Sequence, residues 1–280
     1  MSPILQLIVS CFLFSILAAL IKYNAVFIHP FEQAFFRNFL GAIILIPFFI
    51  KQKKLINKKS NLWLLFLRGL FGGLTMLLIF TAYSLIPLTQ AMAISFSTPL
   101  FMYFGSIIFL KENSNNEKTF YTLLGFFLTI IIIRPDLSIQ IGTFIALISS
   151  ITHAIAGLLV KKLSKDENVI TLMFSLVIMM APITFIPSVY VWESPFSFFI
   201  LLNLIIIAIV ATLGNFFWTN AISLSKVTNL MPFDFSKLIF ATILGLVFFD
   251  EKIDALTIIC GTGILLCNTF ILKKAKNENT

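Results

Sequence analysis

Charge is what this chain of 280 residues most lacks: only 11% of its residues are Asp, Glu, Lys or Arg. A soluble domain carries about 25%. With 59% hydrophobic residues and a mean hydropathy of +1.02, no water-soluble fold could hide the apolar surface. Composition therefore gives an integral membrane protein with a single membrane domain. Cysteine is scarce as well. Cys11, Cys260 and Cys267 all fall in apolar runs and form no CxxC, so buried thiols are expected, not a disulfide framework. With only His29 and His153 and no HExxH, no metal site or cofactor is expected. No GxxxxGK[ST] loop occurs, which argues against ATP drive within the chain. There is no GxSG nucleophile and Asp234 has no partner carboxylate on its helix, so an enzyme is not expected. A channel would need a ring of charges or a carbonyl filter, and neither motif occurs. The net charge of +8 is spread over short loops with no basic face, which excludes nucleic acid as the partner.

What the chain does have is a series of apolar runs, most of them long enough to cross a hydrocarbon core of roughly 30 Å. They read as ten transmembrane helices: Pro3–Lys22, Phe31–Ile50, Leu62–Ala82, Leu88–Leu110, Thr119–Ile133, Ile139–Val160, Val169–Val189, Phe198–Ile222, Val227–Phe249 and Ile253–Leu272. The first lacks a basic n-region and a small-x-small cleavage site, so it reads as a span and not a signal peptide. With the N-terminus inside, Lys51, Lys53, Lys54, Lys58, Lys59, Lys111, Lys118, Lys161, Lys162, Lys165, Lys226, Lys273, Lys274 and Lys276 are cytoplasmic. Only Lys22, Arg134 and Lys252 are external, while Arg37, Arg68 and Lys237 lie inside spans. This asymmetry sets both termini in the cytoplasm.

The stretch Ala82–Glu112 recurs 139 residues later as Ala221–Glu251 with ten identities, among them Thr89/Thr228, Phe96/Phe235, Ser97/Ser236 and Glu112/Glu251. Chance in this composition would give roughly two or three, so the chain is an internal duplication. The same offset pairs Lys22 with Lys161, which leaves five spans per half. An odd number inverts the second half, and inverted repeats are the basis of alternating access with a site between the halves. Residues 3–133 form the first repeat, 139–272 the second, and 273–280 a cytoplasmic tail.

The pattern PLTQAMAISFSTPLF…FLKE, with its degenerate second copy, resembles the EamA repeat of the drug/metabolite transporter superfamily. That resemblance implies an all-α, ten-span secondary transporter in the bacterial inner membrane that moves metabolites or amino acids. AFFRN at Ala34–Asn38, LRGL at Leu67–Leu70 and SFSTPLF at Ser95–Phe101 are similar to the S-adenosylmethionine uptake transporters of obligate intracellular bacteria. This narrower likeness implies S-adenosylmethionine, or a similar zwitterion or cation, as substrate, with uptake as the direction. Export of amino acids, drugs or other metabolites on the same fold is the alternative. A homodimer is one arrangement the sequence leaves open.

An ionisable residue in mid-membrane costs about 2.5–3.5 kcal/mol on insertion scales and needs a reason. Asp234 and Lys237 are three apart on the ninth span, hence on one face, where the first half has Ser95 and Thr98. The functional reading is a zwitterion site, with a cation at Asp234 and a carboxylate at Lys237; the alternative is an ion pair that locks the helix. Arg37 is either an interfacial anchor or a carboxylate ligand on the outer approach. Arg68 reads as an anchor near the cytoplasmic side, and His153 as a hydrogen-bonded interior residue. Pro99 and Pro232 are expected to interrupt the fourth and ninth helices. Asn215, Trp218, Phe216, Phe217, Phe233 and Phe235 are close enough in sequence to this cluster to line a cavity, where an aromatic ring could hold an adenine or a sulfonium. Ser95, Thr98, Arg37, Asp234, Lys237, Asn215, Trp218 and Phe235 are thus the candidate substrate-binding residues.

Overall fold

The computed structural model describes residues 1–52, 61–85, 94–133, 141–193, 197–249 and 255–277, and the regular structure among them is all helical. In chain order the helices are α1 (Pro3–Asn24), α2 (Pro30–Ile50), α3 (Leu62–Leu85), α4 (Thr98–Phe109), α5 (Asn116–Ile133), α6 (Ile141–Leu163), α7 (Val169–Tyr190), α8 (Phe198–Leu224), α9 (Val227–Asp234), α10 (Ser236–Phe249) and α11 (Ala255–Asn277). Their starts follow local rules. The side chains of Ser2, Asn168 and Ser197 accept amides of the first turns of α1, α7 and α8, and Pro3 and Pro30 occupy first-turn positions that need no N–H.

Most helices follow the apolar runs to within three residues, but two spans depart from the expectation of continuous helix. The ninth is split: α9 ends at Asp234, α10 begins at Ser236, and Phe235 stands between them. In the fourth, α4 begins only at Thr98 after a turn at Phe96 and Ser97; residues 86–93 of that span lie outside the described residues. Pro99 sits in the first turn of α4, directly after the break that follows helical residues 94–95, while Pro232 lies within α9, three residues before its break. Among the described residues seven stretches are long and apolar enough to cross a membrane, one of them Val227–Leu244 through both α9 and α10. Thr98–Phe109 and Ile258–Cys267 are apolar but shorter.

Repeat-equivalent helices run antiparallel where they meet. The Asn168 amide at the start of α7 donates to Gln52 just past α2 (2.9 Å), and Glu193 just past α7 donates its N–H to Glu32 in the first turn of α2 (3.1 Å). Glu112, just past α4, accepts the amides of Val227 and Thr228 at the start of α9 (3.0 and 2.9 Å). Tyr121 near the start of α5 stacks on Phe270 near the end of α11 (5.6 Å between centroids). The packing also survives exchange of the halves: α3 lies on α6 as α8 lies on α1, and α4 lies on α6 as α9 and α10 lie on α1.

The same contacts sort the loops. Lys161 donates to the Ser223 carbonyl (3.2 Å) and Asn220 to Gln6 (2.7 Å), which gathers the ends of α2, α4, α6 and α8 with the starts of α1, α7 and α9. Lys51, Lys111, Lys161, Lys162, Lys165 and Lys226 collect at that end of the bundle, and Lys22 at the other.

Candidate functional site

The two interrupted spans free backbone carbonyls in an apolar interior, where each unsatisfied group is costly. The neighbouring half supplies the donors at matching positions. Ser150 Oγ on α6 donates to the Ile94 carbonyl (3.1 Å). Its repeat equivalent, Cys11 on α1, directs its thiol at the Phe233 carbonyl (4.0 Å), which is the equivalent of Ile94. Ser15 on α1 also donates to the Lys237 carbonyl (3.1 Å). Each break is thus held by the first helix of the opposite half.

Asp234 and Lys237 flank the second break as a close ion pair, Nζ standing 2.7 Å from Oδ1 and 2.8 Å from Oδ2. The carboxylate closes the C-terminal end of α9 and the ammonium lies in the first turn of α10. Both charges sit at the unfavourable end of a helix dipole, a mismatch of about 0.3–1 kcal/mol each. Two further groups touch the pair: the Cys11 thiol, 3.7 Å from Asp234 Oδ1, and the Phe14 ring, whose centroid is 5.5 Å from Nζ.

The pair opens on a cavity of about 320 Å3 lined by helices of both halves. That volume lies in the range of small-molecule sites. Its wall is built largely of repeat-equivalent positions, including Ser95/Asp234, Thr98/Lys237, Arg37/Leu176, Met76/Asn215, Ile79/Trp218 and Phe14/His153. The backbone frame of the cavity is therefore near-symmetric, while the chemistry on it is not. Charge and amide groups replace neutral ones on opposite walls, so the cavity presents an oriented set of polar groups.

Seven of the eight candidate residues from the sequence line this cavity: Asp234, Lys237, Arg37, Ser95, Thr98, Trp218 and Asn215. Phe235 does not. It is 1% exposed and packs with Phe96, Leu238 and Ile264 against α5, where a Cβ on Gly125 would stand 3.2 Å from its ring. Phe233 is likewise buried in the main core, and Phe216 packs beside Met173 and Leu45, so of the aromatic run only Trp218 faces the cavity. Gly157 lets α6 approach this wall, since a Cβ there would lie 2.5 Å from Met102 and 3.1 Å from Trp218.

Arg37 donates through Nη1 to Asn38 (3.0 Å), which in turn holds Thr184 (3.2 Å); its buried Nε has no partner among the described residues. Two residues outside the candidate set, Arg68 and His153, also line the cavity. Arg68 is 2% exposed and donates to the Leu172 carbonyl on α7, so it is an interior cation and not an interfacial anchor. A hydrophobic stretch alone could not reveal this, because it depends on α7 closing over the arginine. His153 makes no hydrogen bond among the described residues. It faces the cavity beside Trp218 (6.1 Å between centroids), within Coulombic reach of Lys237, Asp234 and Arg37. Its repeat position opposite Phe14 was the available signal.

Comparison with known proteins agrees with this architecture. A crystal structure of another protein superposes over 99% of both chains with a TM-score of 0.81 at 15% identity, which shows a shared fold. The S-adenosylmethionine uptake transporter of Rickettsia conorii is 30% identical over 92% of this chain and 88% of its own length. Solute carrier family 35 member G1 of mouse is 29% identical over 87% of this chain and 71% of its own length. The pseudopaline exporter CntI of Pseudomonas aeruginosa is 26% identical over 95% and 94% of the two chains. These relatives are carriers, not enzymes, and with the apolar helices they place the chain in the bacterial inner membrane as a multi-pass protein. Residues 1–134 and 140–272 each match the EamA-like transporter family, and this duplicated membrane transporter belongs to that family.

Proposed function

We propose that the chain takes up S-adenosylmethionine, or a close zwitterionic relative, by alternating access between two inverted five-span halves, 3–133 and 139–272, with both termini cytoplasmic. The observation that carries this reading is the cavity between the halves, whose near-symmetric wall bears one carboxylate and three cations, Arg37, Arg68 and Lys237. The sulfonium or amino cation of the substrate takes Asp234. Its carboxylate faces Arg37, Asn215 and the ammonium of Lys237 that the incoming cation displaces. Ser95 and Thr98 offer hydroxyls from the other wall, and Trp218 a face for the purine. The lysine-rich end of the bundle supports a cytoplasmic position for that end. The two helix breaks at the repeat interface support a substrate site there, since such carriers build their sites from discontinuous helices.

The test is uptake of labelled S-adenosylmethionine by cells expressing the chain, competed by S-adenosylhomocysteine, methionine and unrelated amino acids. Competition by S-adenosylhomocysteine alone supports recognition of the purine and amino-acid ends together. Equal competition by plain amino acids points to a general amino-acid carrier. The likeness to an exporter favours a second reading, in which the same cavity serves outward movement; preloaded cells losing label faster than controls would establish it.

A further inference from the structure

The Asp234–Lys237 pair suggests how the carrier completes its cycle. Each group is the other's counter-ion at 2.7–2.8 Å, and both line the cavity where the two halves meet. While paired with Asp234, the Lys237 ammonium also faces the Phe14 ring on α1, with the ring centroid 5.5 Å from Nζ. The first-half equivalents Ser95 and Thr98 are neutral, so the helical break does not require charges. Both charges also oppose the dipoles of the half-helices that carry them, which a purely structural pair has no cause to do.

We infer that Lys237 is an internal stand-in for the cationic end of the substrate: it neutralises Asp234 during the substrate-free return of the carrier, and so permits net uptake without obligatory exchange. The inference rests on the reading of Asp234 as the partner of the substrate cation. When cargo binds, its cation takes Asp234 and the ammonium withdraws toward Phe14 and the substrate carboxylate. When cargo leaves, Lys237 closes on Asp234 again. The site thus crosses between its two packings without a lone buried carboxylate in either direction. A carrier lacking Lys237 would recross readily only when loaded, because an unpaired buried charge is costly.

The experiment uses the full chain in liposomes and compares uptake of labelled S-adenosylmethionine into unloaded vesicles with uptake into vesicles preloaded with the unlabelled compound. Wild-type protein is expected to show similar rates in both. In Lys237→Met the ratio of net uptake to exchange should fall at least about tenfold, the equivalent of 1.4 kcal/mol. Lys237→Arg keeps the charge and should keep the ratio. An unchanged ratio in Lys237→Met, or uptake by wild type only into preloaded vesicles, overturns the inference. So does loss of net uptake by Lys237→Arg while exchange persists. Binding of the label to purified Asp234→Asn separates the two readings. Wild-type affinity there removes Asp234 as the cation's partner and the functional reading with it. Lost affinity there, with an unchanged ratio in Lys237→Met, removes only the role of Lys237.

Discussion

Phe96 and Phe235 stand 139 residues apart, hold the same position in the two repeats, and pack into one apolar cluster with Leu238 and Ile264. Each marks the interruption of its span, so the two breaks meet beneath the cavity. A side chain that fills this junction but touches no cargo should govern stability more than recognition. Phe235→Ala is expected to cost about 3–5 kcal/mol through the void it leaves. Thermal unfolding in detergent should show that loss, while affinity for S-adenosylmethionine in the folded fraction stays within a few-fold of wild type. A stable variant with lost affinity would place Phe235 in the binding site after all.

Removing one member of the ion pair should hurt more than removing both. Asp234→Asn leaves the Lys237 ammonium without its counter-ion, facing the Phe14 ring, at a cost of about 3–5 kcal/mol. Adding Lys237→Met to it should recover much of that stability, because two neutral side chains replace two charges. Unfolding midpoints of the single and double variants give the answer directly. Equal destabilisation by both would show that the pair contributes little as a pair.

Arg37→Gln keeps a hydrogen-bonding side chain beside Asn38 but removes the cation that lines a small pocket together with Asn215. Loss of a charge-assisted hydrogen bond to a carboxylate is worth about 1.5–3 kcal/mol. The KM for S-adenosylmethionine should therefore rise by about ten- to a hundredfold. A decarboxylated analogue should bind the wild type poorly and be nearly indifferent to the substitution. Equal losses for both compounds would assign Arg37 to the scaffold.

Glu112 caps α9 from the end of α4 in the opposite half, accepting Val227 N–H, Thr228 N–H and the Thr228 hydroxyl. Lys111 before it has a left-handed backbone with φ of 54°, which turns the chain after α4. Glu112→Ala should cost about 1–2 kcal/mol as a lost helix cap. Lys111→Gly should be neutral or mildly stabilising, since a left-handed conformation costs a lysine roughly 1–2 kcal/mol. Unfolding midpoints of both variants measure this. A large loss in Lys111→Gly would mean that the lysine side chain carries a contact of its own. The equivalent pair Thr89 and Glu251 lies outside the described residues.

The residues of the candidate cavity were largely visible in the sequence because membrane burial makes charge conspicuous. Asp234, Lys237 and Arg37 stand out from an apolar background, and the 139-residue offset identifies Asp234 and Lys237 as departures from Ser95 and Thr98. Arg68 was read as an anchor and His153 as a hydrogen-bonded interior residue, because their facing depends on rotation about the helix axis. Phe235 was misplaced for the same reason: neighbours in sequence on a helix point roughly 100° apart, so adjacency to Asp234 does not imply a shared wall.

The sequence by itself determined that this is a duplicated, lipid-embedded helical protein, since charge scarcity, apolar run length and a fixed repeat offset are one-dimensional properties. Tertiary structure alone decided where the fourth and ninth spans break, that Ser150 and Cys11 support the freed carbonyls from the opposite half, and that Arg68 turns inward beneath α7. Those outcomes depend on which helix covers which backbone group, a matter of packing between segments far apart in the chain.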